Sequence, residues 1–203
     1  MEKKRNSYHH GDLRATLLEV AAQTIAEKGV EGVTMRGLAE QIGVSRTAPY
    51  RHFADKAALL AAVAEDGFKR LAACLQTAGA EHAGDPLLSF RSMCLAYVEF
   101  AVENPTHYRL MFGQEVFNWQ DHPSLVGAAS GVFDEVFETV RACQQENKIK
   151  PGQPRQTALA AWALAHGLSL LLIEGRIPAS GNVRRLVELA FESLLTGIEI
   201  APK

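Results

Sequence analysis

"TMRGLAEQIGVSRTAPYRHF", residues 34–53, is the stretch on which the fold turns. Its first half spaces Leu38, Ala39 and Ile42 along one side of a short helix that starts after Thr34. Gly43 then supplies the backbone freedom for a tight turn, and Ala39 is small where a second helix would approach most closely. Leu38, Ile42 and Val44 form the apolar seam. The second half reads as another helix, from Ser45 to near Phe53, with the Ser45 hydroxyl accepting from an otherwise unpaired backbone N–H. Two short helices around a glycine turn make a helix-turn-helix.

Pro49 is the obstacle to that reading. Counted from Ser45 it is the fourth residue, where a missing N–H removes only the first i→i−4 bond. Its ring is expected to face the core, and so is Phe53. Arg46, Thr47, Ala48, Tyr50 and Arg51 are left on the outer face. An arginine can fork onto guanine O6 and N7, and a threonine or alanine methyl can meet the thymine methyl. Tyr50 suits a phosphate oxygen, and Lys56 places a charge beside the free N–H groups of the next helix start. The candidate DNA-binding set is therefore Thr34, Ser45, Arg46, Thr47, Ala48, Tyr50, Arg51 and Lys56. Lys3, Lys4, Arg5 and Arg14 add sequence-independent attraction.

Outward from this stretch the pattern is helical throughout. A first helix is expected from Asp12 to Lys28, with Asp12 as its cap, and a long connecting helix from Asp55 to about Ala78. Further helices are expected at about 87–103, 105–113, 123–147, 155–174 and 183–199. The expected fold class is all-α: a three-helix DNA-binding domain (residues 1–56), then a connecting helix and a larger ligand-binding and dimerisation domain (57–203).

Composition agrees with this division. The 203 residues are 47% hydrophobic and 22% charged, as in a soluble globular chain. Net charge is −2, but residues 1–56 carry nine Lys/Arg against seven Asp/Glu, and the remainder twelve against sixteen. Cys74, Cys94 and Cys143 lie in separate helical segments with no metal-ligand spacing, which suits buried thiols. The opening residues lack the apolar run of a signal peptide. The longest apolar run, Leu159–Ile173, is shorter than the roughly 20 residues that span a bilayer. A cytoplasmic location is expected, with no membrane partner.

In the C-terminal part, helix 155–174 is apolar nearly all round, which calls for burial on several faces. Helix 183–199 offers Leu186, Leu189, Ala190, Ser193, Leu194 and Gly197 as a seam. Together they suggest a four-helix interface between two copies. The large side chains Met93, Tyr97, Tyr108, Met111, Phe112, Phe117, Trp119 and Trp162, with His166, suit either plain core or an effector-binding pocket.

Residues 12–60 resemble the DNA-binding domain of TetR-type transcriptional regulators, through T34-M-R-G-L-A-E-Q-I-G-V-S45 and Y50-R-H-F-A-D-K-A-A-L59. The segments Y8-H-H-G-D-L-R14, N104-P-T-H-Y-R-L-M-F-G113 and W162-A-L-A-H-G167 resemble the subgroup with a Trp, His-Gly signature in its C-terminal domain. The resemblance implies that residues 45–53 form the recognition helix and that Tyr50 and Lys56 contact phosphates. It also implies a homodimer on a near-palindromic operator, acting as a repressor and released by a small-molecule effector. Where many members carry an aliphatic residue, this chain has Pro49.

Other functions find little support. His9, His10 and Asp12, or His166 with Glu174, are the only candidate acid–base or metal groups, and neither set converges. No catalytic residue, cofactor or metal is expected. A nonspecific architectural DNA binder would need more basic residues than a net charge of −2 allows.

Overall fold

A computed structural model describes residues 13–113, 117–178 and 182–197; Asp12, the basic arm and residues 198–199 lie outside them. Among the described residues there are eight α-helices and no strand. They are α1 (Leu13–Lys28), α2 (Met35–Ile42), α3 (Lys56–Ala80), α4 (Pro86–Glu103), α5 (Pro105–Phe112), α6 (Pro123–Gln145), α7 (Pro154–Ile173) and α8 (Val183–Thr196).

The helix ends follow from local chemistry. Thr34 accepts from the Gly37 N–H at 3.0 Å, and Asp55 from the Ala58 N–H at 2.8 Å, so α2 and α3 start at side-chain caps. Asp85 and Asn182 cap α4 and α8 in the same way. Helices α4 to α7 each begin at a proline, whose missing N–H would have no intrahelical partner there. Gly43 ends α2 in the left-handed region (φ 82°, ψ 30°), which lets its own N–H and that of Val44 both reach the Ala39 carbonyl.

The segment after that turn departs from the expected helix. Residues 46–48 form a turn, and Pro49–Arg51 is a single 3₁₀ turn rather than the middle of an α-helix. The bonds run Ala48 N to Ser45 O, Arg51 N to Ala48 O and His52 N to Pro49 O, each spanning three residues. Proline favours this: with no N–H at position 49, the Ser45 carbonyl takes its bond from Ala48 instead, and the Phe53 N–H returns to α spacing on the Pro49 carbonyl. The Ser45 hydroxyl caps nothing and lies 3.3 Å from the Thr47 hydroxyl. The expectation for the ring holds, because Pro49 and Phe53 are both buried.

One apolar core runs the length of the molecule. It joins Leu17, Ile25, Leu38 and Phe53 to Leu59, Phe68 and Leu75 of α3, and on to Tyr97, Val140 and Phe191. Helix α3 is the shared element: it packs on α1 at its start and on α4, α5 and α6 beyond. Gly67 lets α5 come close, since a Cβ there would lie 2.7 Å from the Met111 sulfur.

Helix α7 adds two features to the sequence reading. It begins at Pro154, five residues before the apolar run, and its 20 residues are by length and composition alone long and apolar enough to cross a membrane. Its inward face is Ala158, Ala161, Ala165, Leu168 and Leu172, not the side bearing Leu159 and Ala163. Leu159 is 52% exposed. A helix apolar on every side has no periodicity from which to choose its buried face.

Candidate functional site

Two regions collect the residues singled out above. The first is the surface of the helix-turn-helix. Ser45, Arg46, Thr47, Tyr50 and Arg51 are exposed there, Tyr50 at 56%, while Ala48 is half-buried. Arg46 lies 3.5 Å from Glu40, which also holds Arg36 at 3.1 Å. Both contacts are solvent-exposed and so contribute little to stability, but they set the resting direction of two guanidinium groups. Lys56 stands on the first residue of α3, half-buried, with Glu31 at 4.0 Å. Thr34 spends its oxygen lone pair on the α2 cap and keeps its hydroxyl proton. Arg14 lies over the Phe53 ring, 5.3 Å from its centroid, and braces the unit from behind.

The second region lies in the helical body, where the structure divides the nine predicted pocket residues. Phe112, Trp119 and Trp162 line an open groove of about 520 Å³ between α3, α5, α6 and α7. Met93 and Tyr97 face a small void of about 10 Å³, with Trp162 between the two spaces. Tyr108 and Met111 are fully buried, and Phe117 is buried under Trp119. Sequence reading missed Phe68, Phe133, Asp134 and Arg155 as groove residues. Phe133 and Arg155 meet only because the α6–α7 loop folds back, so their spacing carries no signal; Arg155 lies 5.1 Å from the Phe133 ring centroid.

Behind the groove the polar aromatic groups form one hydrogen-bonded chain. The Trp162 Nε1–H donates to the Tyr97 hydroxyl oxygen (3.2 Å), and the Tyr108 hydroxyl donates to the same oxygen (3.0 Å). The Tyr108 hydroxyl also lies 2.7 Å from His166 Nδ1, which completes the chain. Burial lowers the His166 pKa, which favours the neutral ring. Burial also pushes the Tyr97 hydroxyl up to about 12 and raises Tyr108 further, so both stay protonated. His166 is thus a hydrogen-bonded half-buried residue, 4.5 Å from the Phe112 ring centroid.

Glu65 of α3 bonds that helix to the start of α6. It accepts from Lys69 at 2.5 Å and from the Ser124 hydroxyl, at the start of α6, at 2.7 Å. Burial alone would raise its pKa, but these two donors outweigh it and hold the carboxyl below the usual range, with Arg14 of α1 adding to the same field. One turn on, Phe68 meets Phe112 and Trp119 edge-on, at 5.2 and 5.7 Å. One face of α3 therefore carries both the bond to α6 and the groove wall.

The cysteines remain separate. Cys94 and Cys143 are buried and Cys74 is half-buried, all three as free thiols, and burial raises each thiol's pKa. Among the described residues no group of His, Cys, Asp or Glu could hold a metal ion.

Comparison with known proteins agrees with this anatomy. Residues 17–63 match the bacterial regulatory proteins of the tetR family, and residues 90–194 match the tetracyclin repressor-like C-terminal domain. The chain is 30% identical over 191 residues to the HTH-type transcriptional regulator YobS of Bacillus subtilis, covering 92% of this chain and 93% of that one. A solved structure of a Rhodococcus sp. RHA1 protein of unknown function is 34% identical, with a TM-score of 0.83 over 95% of this chain and 98% of that one. The Bacillus subtilis regulator FadR, solved in complex with stearoyl-CoA, shares the fold at 14% identity, with a TM-score of 0.75 over 91% and 99% of the two chains. The chain belongs to the TetR family: it is a DNA-binding transcriptional regulator with an N-terminal helix-turn-helix and a larger helical C-terminal domain, not an enzyme.

Proposed function

We propose that this protein is a homodimeric repressor that binds a near-palindromic operator through residues 45–53 and is released by a small-molecule effector in the C-terminal groove. The observation that carries the DNA half is the two-sidedness of that segment. Pro49 and Phe53 anchor its inner side, and Ser45, Arg46, Thr47, Tyr50 and Arg51 project outward together. In this reading Arg46, Thr47 and Ala48 meet base edges. Thr34, Ser45, Tyr50, Arg51 and Lys56 contact the phosphate backbone. Residues 1–56 act as the DNA-binding unit, and residues 57–203 sense and dimerise.

The dimer face is the outer surface of α7 and α8. Leu171 is 43% exposed and Leu189 50%, beside the small residues Ala160, Ala163 and Gly167, a combination that favours close helix approach. Two copies pairing there bury the apolar length of α7, and such a regulator works in the cytoplasm, where the DNA is. The FadR complex is a precedent for a small-molecule ligand in this fold. An effector acts by binding one dimer geometry better than the other, with α3 and Glu65 conveying the difference.

The test is selection of bound sites from random DNA by the full-length protein, which should return a two-fold symmetric motif. Arg46→Ala should then relax preference at one position of each half-site, by roughly 1–3 kcal/mol. Tyr50→Phe and Lys56→Ala should weaken binding to all sequences alike. A selection that recovers no shared motif, or an Arg46→Ala protein with unchanged preference, overturns the assignment.

A further inference from the structure

We propose that the groove selects an anionic aromatic or similarly flat apolar ligand, whose carboxylate or sulfonate pairs with Arg155; this rests on the reading of the groove as the effector site. The volume, about 520 Å³, is that of a site for a drug-sized molecule. Its walls are ring surfaces: Phe68, Phe112, Trp119, Phe133 and Trp162 meet at tilted or edge-on angles around the space. Such walls take a flat apolar body by stacking and edge contacts.

Charge decides which flat body. A second cavity, of about 430 Å³ between α4 and α8, is also rimmed by arginines, but each is committed. There Arg91 pairs with Glu192 at 2.7 Å, Arg184 with Glu99 at 3.7 Å and Arg185 with Glu188 at 3.7 Å. Arg155 differs. Among the described residues no carboxylate lies within ion-pairing distance of it, although Asp134 lines the same groove. Its guanidinium carbon lies 5.1 Å from the Phe133 ring centroid, a cation–π contact that leaves its N–H groups able to fork onto a planar anion. Asp134 and Arg155 are both solvent-exposed, and only Arg155 has a ring contact to hold it at the groove wall.

The experiment uses full-length protein and three fluorescent probes. They are 8-anilinonaphthalene-1-sulfonate, N-phenyl-1-naphthylamine (the same rings without the sulfonate) and the cationic dye rhodamine 6G. The sulfonate should bind at one molecule per chain, and Arg155→Gln should raise its Kd about tenfold, as for a lost charge-assisted pair. The same variant should leave the Kd of the uncharged amine within about twofold, which also shows that the groove is still folded. Unchanged sulfonate binding in Arg155→Gln, or equal weakening of both ring probes, overturns the proposal. So does tighter binding of rhodamine 6G that Asp134→Asn abolishes. Operator affinity is measured in parallel. If the sulfonate binds through Arg155 without altering it, the anion site stands and the effector reading falls.

Discussion

In the 45–53 segment every candidate contact projects from nine consecutive residues, whereas the groove draws its wall from α3, α5, the turn at Trp119, α6 and α7. The outward side chains of that segment are solvent-exposed and loosely paired, Arg46 to Glu40 at 3.5 Å. Those behind the groove are buried or half-buried and fixed by hydrogen bonds between 2.7 and 3.2 Å. A surface that must adapt to a polyanion needs groups free to exchange water for phosphate. A cavity that must discriminate needs its polar groups satisfied and immobile before the ligand arrives. The difference predicts that substitutions in the hydrogen-bonded chain behind the groove act chiefly on stability, and those among the outward residues of 45–53 chiefly on binding.

The largest expected effect is at Tyr108→Phe. It removes the hydroxyl that joins Tyr97 to His166 and costs about 1–3 kcal/mol in urea denaturation, because the buried Tyr97 hydroxyl and the half-buried His166 Nδ1 both lose their partner. A loss below about 0.5 kcal/mol would mean that the chain of polar groups is not rigid and would break the contrast. Pro49→Ala comes next. Restoring an N–H opposite the Ser45 carbonyl lets residues 45–53 wind as an α-helix and turns their side chains relative to α2. Sites selected by this variant should differ in base preference from those of the parent while the fold persists. An identical motif would show that the 3₁₀ winding does not set what is read.

Thr34→Ala removes the α2 cap and should cost about 1 kcal/mol by thermal denaturation, with a smaller loss for Thr34→Ser. His107 tests the junction between the two regions. It sits on α5 near Asp66 and Arg70 of α3, and its Nε2 is buried without a partner. Burial, aided by Arg70 and opposed by Asp66, lowers its pKa below the ordinary 6.5. The unfolded chain therefore takes up a proton at higher pH than the folded one, so stability is lost as pH falls below about 6.5 toward the folded value. His166 is shifted in the same direction, and the depressed Glu65 adds its own loss only below about pH 4.5. His107→Leu should raise stability by about 1 kcal/mol at pH 7 and flatten part of the fall between pH 7 and 5. An unchanged slope would mean that His107 does not titrate there.

Much of the fold was legible because its signals are local. Thr34, Gly43 and Asp55 each act within four residues, and the prolines at positions 86, 105, 123 and 154 mark helix starts wherever the helices are later placed. The reading segment was legible for the same reason, since its exposed residues follow from one turn and one buried proline. Its winding was not. A proline at the fourth position is compatible with either an α or a 3₁₀ start, and the choice depends on how Pro49 and Phe53 seat against the first helices.

The sequence by itself determined that the chain is helical, where most helices begin, and that a polar face follows Gly43. The tertiary structure alone decided that Phe68, Phe133 and Arg155 share a groove with Phe112, Trp119 and Trp162, and which face of α7 turns inward. Caps and turns are set by neighbours along the chain. A groove assembled from residues 68 to 162, and the orientation of a helix apolar on all sides, are fixed by packing between distant segments, which spacing does not record.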